Sequence, residues 1–166
     1  EIVMSTTQTV KKEIVPVLQG RDILWIQQLV RQVPISQHMV DYAVDLARAT
    51  RPKEPPSPDF VKNWLAWGAG PRAAQNMVLG AKARAILQGR FSVTAEDIRK
   101  VAYPVLRHRI FTNFNADAEG IDVEQVIEKI LDTIPEPSYG ETVGPTPRSQ
   151  AAAPRAEVPT PSPPGP

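Results

Sequence analysis

Trp64-Leu65-Ala66-Trp67-Gly68-Ala69-Gly70-Pro71-Arg72-Ala73 sets two glycines and a proline just ahead of a long helical pattern, with an arginine inside its first turn. From Pro71 to Gln88, small or apolar residues fall at Ala74, Met77, Val78, Ala81, Ala85 and Leu87. They lie largely on the helical period of about 3.6 residues. Proline at the first helical position adds no new orphan donor and pre-sets φ. Gly68 and Gly70 permit a close backbone approach. First-turn N–H groups and the positive end of the helix dipole favour an anion there. Arg72 brings a permanent, forked cation to the same place. A phosphate sensor would be built this way. Glycine and proline before a helix with a surface arginine are also an ordinary helix start, and the segment alone leaves both readings open.

Working outward, the pattern predicts a helix from about Arg21 to Val33, with Ile23, Ile26, Leu29, Val30 and Val33 on one face and Pro34 as its stop. Leu18, in an extended entry arm over residues 1–20, is expected to anchor on the helical core. Ser36 is the expected N-cap of a second helix that buries Val40, Ala43, Val44 and Ala47 and ends near Thr50. Lys53 to Pro58 reads as a loop, and Asp59 as the cap of a short helix carrying Phe60, Trp64 and Trp67. The long helix after Pro71 should end at Gly89. Phe91-Ser92-Val93 reads as a one-bridge strand. Thr94-Ala95-Glu96-Asp97 approximates a capping box opening a helix through Ile98, Val101 and Ala102, which Pro104 should break or kink before a further turn. Ile110 to Phe114 reads as a short strand. Asp122 and Gln125 cap a last helix burying Val123, Val126, Ile127, Ile130 and Ile134.

The character changes at Pro135. Ten of the last 32 residues are proline, too few of the rest being apolar to offset their ordering entropy. Residues 135–166 are expected to be a disordered Pro-rich tail, and residues 21–134 one helical domain. The fold class is all-α, a small helical bundle with at most one or two very short strands.

Composition narrows the functions. The 166 residues carry a net charge of +1, which provides no strong field for nucleic acid or an acidic membrane. Zero cysteines exclude disulfides and thiolate chemistry, and no apolar run approaches the length of a membrane span. His38 and His108 have no acidic cluster beside them in sequence, so no metal site is expected. No serine sits in a nucleophile-elbow setting. Trp64 and Trp67 read as core or contact residues rather than as a stacking platform.

Three segments in order carry a resemblance: Gly68-Ala69-Gly70-Pro71-Arg72-Ala73, Gly89 to Ile98, and Pro104-Val105-Leu106-Arg107-His108-Arg109-Ile110. Together with Pro16-Val17-Leu18 and Asp45-Leu46-Ala47-Arg48-Ala49-Thr50-Arg51, they closely resemble the C-terminal lid of MoxR-family AAA+ ATPases over about Ile14 to Pro137. The family usually has serine where this chain has Gly70, a change of a few tenths of a kcal/mol at an N-cap. The resemblance implies that Arg72 is the sensor-2 arginine supporting hydrolysis in the complete protein, with Gly68, Gly70 and Pro71 forming the nucleotide-side turn. It implies an interface role for Arg107, His108 and Arg109, which on residue chemistry alone also read as a solvated helix end.

The family's ATPase core needs a G-x-x-x-x-G-K-[ST] phosphate loop, and no Gly-Lys-Ser/Thr occurs here. The chain is therefore expected to be the back end of a larger cytoplasmic protein. ATP, with Mg2+ held by the missing domain, is the implied cofactor, and this chain alone would hold none. The implied partners are its own nucleotide-binding domain, neighbouring subunits of a ring taken as a homo-hexamer, and a von Willebrand factor A-type protein. The alternative is a stand-alone helical adaptor or DNA-binding module. Against DNA binding, Arg21 to Ile134 holds 15 Lys/Arg against 13 Asp/Glu, and no helix carries a basic face.

Overall fold

The computed structural model describes residues 15–55 and 57–137. The expectations for the arm before residue 15 and for the tail beyond residue 137 lie outside the described residues. Among those described, the order is α1 (Gly20–Gln32), α2 (Gln37–Ala49), α3 (Asp59–Trp64), β1 (Leu65–Trp67), α4 (Pro71–Leu87), α5 (Ala95–Leu106), β2 (Phe111–Thr112), α6 (Phe114–Glu119) and α7 (Val123–Thr133). The expected all-α class holds.

Helix α4 is the spine. Its buried side chains are Ala73, Ala74, Met77, Ala81 and Ala85. Four of the five are alanine, so neighbouring backbones come close. α5 packs on it most extensively, followed by α2 and then α1. A Cβ added at Gly80 would stand 2.5 Å from Val101 Cγ1 of α5. Leu87, expected on the buried face, is exposed. It falls in the last turn, past the covered stretch. Gly89, at φ +69°, then reverses the chain, with its N–H bonded to the Ile86 carbonyl.

The α4–α5 connection is not a strand. Val93 is buried and Phe91 exposed in a bend, where the Arg90 N–H bonds to the Ala85 carbonyl. The bend is tied by Asp97, which is 1% exposed. Its carboxylate accepts from Arg90 Nη1 and Nη2 at 2.8 and 2.6 Å, and from the Thr94 N–H and hydroxyl at 2.9 Å each. Arg84 Nε lies 3.3 Å away as a second cation, though not aligned as a hydrogen bond. The expected helix start at Thr94 is thus also a buried ionic knot. α5 runs on through Pro104 to Leu106. Pro104 leaves the Lys100 carbonyl without its helical donor, and both residues are exposed.

Tertiary packing moves two expected faces. α2 buries Met39, Tyr42, Ala43, Leu46, Ala47 and Ala49, while Val44 is exposed and Val40 only half-buried. Contacts with α4, α5 and α7 cover a wide arc of α2, turning its larger side chains inward. α1 buries no side chain of its own. Ile23, Leu24, Trp25 and Ile26 are exposed, and Val33 just beyond it is buried. Leu18 is 54% exposed and anchors on nothing described.

Two short elements were not foreseen. Trp67 leaves the helix: α3 stops at Trp64, and Leu65–Trp67 pairs antiparallel with Phe111–Thr112. Asn113 fixes this, its N–H bonding to the Trp64 carbonyl and its Nδ2 to the Asn63 carbonyl, both at 2.8 Å. Asp59 is the first residue of α3 rather than its cap, and it pairs with Lys62 at 2.7 Å. Asn113 also caps the unforeseen α6, accepting from the N–H groups of Asn115 and Ala116. The Asp122–Gln125 box opens α7 as expected, burying Val126, Ile127, Ile130 and Leu131, with Val123 and Ile134 at the rim. Arg99 ties the far end of α7 through Asp132 at 3.1 Å and Glu136 at 3.3 Å.

Burial by itself raises the Asp97 carboxyl pKa, but the hydrogen bonds from Arg90 and Thr94 outweigh it and hold it below the ordinary carboxylate range. A folded-state pKa below the unfolded value of about 3.9 means the stabilisation is complete above that value. It is lost as pH falls through the folded pKa. Asp97→Asn should cost about 3 kcal/mol near neutral pH, and the gap to the parent chain should close on acidification. Urea unfolding of both proteins in steps from neutral down to about pH 3 measures this.

Candidate functional site

The turn before α4 is held from two sides by the end of α2. Thr50 is fully buried; its hydroxyl donates to the Ala47 carbonyl at 2.7 Å and accepts the Ala69 N–H at 2.8 Å. Arg51 Nε donates to the Ala69 carbonyl at 2.9 Å, while Nη1 bonds Glu54 at 2.8 Å. Both main-chain polar groups of buried Ala69 are therefore satisfied by two adjacent side chains. Gly68 is required here. A Cβ on it would overlap the Thr50 carbonyl oxygen and stand 2.7 Å from Arg51 Cα. Gly70 is different. Nothing lies within 4 Å of its added Cβ, and its extended backbone, at φ −80° and ψ 179°, suits any residue.

Pro71 opens α4 and Arg72 follows in its first turn. The Gly70 carbonyl takes the Ala73 N–H at 3.0 Å, and no side chain caps this end. Arg72 is exposed and takes part in none of the ion pairs or side-chain hydrogen bonds among the described residues. Arg51, Arg84, Arg90, Arg99 and Arg107 each meet a carboxylate, and Arg48 and Arg109 instead bond main-chain carbonyls. Arg72 thus places a guanidinium that no described carboxylate neutralises beside the positive end of a 17-residue helix. That combination attracts anions with paired oxygens.

Arg107, His108 and Arg109 follow α5. Because Gly80 faces Val101 and Arg84 faces Asp97, α4 and α5 run antiparallel. The end of α5 therefore shares one end of the pair with the start of α4, as the β1–β2 pairing also requires. Two of the three have internal work. Arg107 pairs with Glu124 at 2.8 Å, and Arg109 Nη1 donates to the Val105 carbonyl and contacts His108 Nε2.

The two tryptophans separate. Trp64 is half-buried, its Nε1 bonded to Glu119 at 2.9 Å and its ring 4.5 Å from Lys129 Nζ. Trp67 is 69% exposed and pairs across the strands with exposed Phe111, close in sequence to exposed Phe114. This aromatic surface beside the Gly68–Gly70 turn was not read from the sequence. Its signal was three aromatics at strand and helix edges. The role of Thr50 and Arg51 was also missed, although their segment had stood out. Among the described residues, no three His, Asp or Glu side chains group as metal ligands.

Residues 60–130 match the AAA lid domain family. The chain is 34% identical over 143 residues to the chaperone MoxR1 of Mycobacterium tuberculosis, covering 82% of this chain and 38% of that protein. It is 38% identical over 73 residues to protein MoxR of Paracoccus denitrificans, covering 43% and 21%. The crystal structure of a candidate ATPase from Cytophaga hutchinsonii aligns with a TM-score of 0.66 at 37% identity, over 71% of this chain and 36% of that one. The chain thus spans well under half the length of each of these relatives.

The two glycines should respond differently to alanine. Gly68→Ala forces backbone against backbone and should cost about 3 kcal/mol. Gly70→Ala loses only cap preference and should cost under about 1 kcal/mol, and Gly70→Ser should cost almost nothing. Thermal unfolding of the three variants ranks them.

Proposed function

From the premise that the chain is the lid region of a MoxR-family AAA+ ATPase, we propose that it presents Arg72 as the sensor-2 arginine to ATP held by a separate nucleotide-binding domain. One observation carries this reading: a first-turn guanidinium that no described carboxylate neutralises, on a helix start clamped to the rest of the lid. The phosphates are the right chemistry for it. A forked cation can donate two parallel hydrogen bonds to a terminal phosphate, and the helix dipole adds to the attraction. Mg2+ would sit with the nucleotide-binding domain.

The lid's part is to hold and respond. Arg72 meets one phosphate more in ATP than in ADP, so the two nucleotides favour different lid positions. Any ring motion follows from that difference in binding energy. The parent protein is read as a chaperone-like remodelling or maturation ATPase, supported by likeness to a chaperone named MoxR1. A homo-hexameric ring in the cytoplasm, working beside a von Willebrand factor A-type partner, completes the reading. In such a ring Arg107, His108 and Arg109 lie at the Arg72 end. His108 and the outer face of Arg107 are available to another domain or subunit, both being exposed.

Arg72→Ala in the complete protein should lower the rate of ATP hydrolysis by about tenfold or more. Its stability should stay within about 0.5 kcal/mol of the parent, because Arg72 is a surface side chain. Steady-state phosphate release and ATP-dependent assembly are the measurements. Parent-like values of both overturn the assignment.

A further inference from the structure

We propose that Thr50 and Arg51 are positioning residues for Arg72, fixing the main chain of Ala69 so that the helix start from which Arg72 projects is held in one place. The inference rests on the reading of Arg72 as a phosphate contact. Thr50 has no exposed surface, and its hydroxyl serves the turn: it carries the Ala69 N–H while holding its own place through the Ala47 carbonyl. Arg51 holds the other side of the same residue through the Ala69 carbonyl. Between this clamp and Arg72 stand only Gly70, with open space around it, and Pro71, with φ fixed. The clamp thus holds the chain just ahead of Arg72, as buried Ala73 holds it just behind.

Such a clamp matters more to a contact with a phosphate than to packing. α4 is already held in the core by Ala73, Ala74, Met77, Ala81 and Ala85. The lost precision would appear at its first turn, where a displacement of about 1 Å can cost up to a hundredfold in rate. Arg51 also ties the clamp to the loop after α2 through Glu54, so that loop and the turn share one support.

A double-mutant cycle in the complete ATPase tests this. The variants are Thr50→Val, which keeps the shape and removes the hydroxyl, Thr50→Ser, which restores it, Arg72→Ala, and Thr50→Val with Arg72→Ala. Thr50→Val should lower kcat about fivefold to tenfold at a temperature where the protein is fully folded, and Thr50→Ser should recover most of it. In the Arg72→Ala background, Thr50→Val should lower kcat no further, because the group being aimed is gone. An equal further loss there means Thr50 acts through the fold at large and overturns the proposal, as does a parent-like kcat for Thr50→Val alone. If Thr50→Val does not fold, Arg51→Met carries the same cycle, keeping the aliphatic stem and removing the bond to Ala69. A parent-like Arg72→Ala overturns the assignment of Arg72 and takes this proposal with it. An impaired Arg72→Ala with additive Thr50→Val overturns the positioning role alone.

Discussion

The fold depends on how thin α4 is. Alanines at 73, 74, 81 and 85 and a glycine at 80 leave little between its axis and its neighbours. Each alanine buries little apolar area, so the stabilisation comes from many short-range atomic contacts made along the helix rather than from a few large side chains. Apart from Met77, the larger residues are supplied from outside: Met39, Tyr42 and Leu46 from α2, Ile98 and Leu106 from α5. Three helices can share one spine only because the spine is narrow.

The two ends of α4 are treated in opposite ways. At its C-terminal end, Arg84 and Arg90 converge on the buried Asp97 carboxylate, and Glu96 lies 3.8 Å from Arg84, so each cation faces a carboxylate. At its N-terminal end the polar groups of the turn are satisfied by Thr50 and Arg51, but the first helical turn has no side-chain cap and its cation meets no carboxylate among the described residues. A stable domain would gain from closing both ends. The N-terminal end keeps its charge and first-turn N–H groups at the surface. The exposed Trp67 and Phe111 at the same end add apolar area to that surface.

What was legible in the sequence was local. The capping pairs at Thr94–Asp97 and Asp122–Gln125, Pro71 as a helix opener and Gly89 as a helix stop act within a few residues, and the sequence shows them directly. What was not legible depends on partners far along the chain. β1 exists because Asn113, about fifty residues on, takes hold of the carbonyls of Asn63 and Trp64. The inward face of α2 is chosen by the three helices around it, and its own apolar residues permit more than one choice. Thr50 reads as an unremarkable helix-end threonine until Ala69, 19 residues later, comes to lie against it. The candidate site was read in the same proportion: the helix start and Arg72 from the sequence, and the clamp from the structure.

Helix α1 has a consequence of another kind. None of its side chains is buried, and apolar residues at 23, 24, 25 and 26 stand in water. Elements with so few buried contacts open at the least free energy, well below that needed to unfold the whole domain. The stiff part of the described chain therefore starts at Val33, the first buried residue. The described chain thus carries a lightly held leading helix laid against α4, tied to it by Lys82 Nζ on the Arg31 carbonyl.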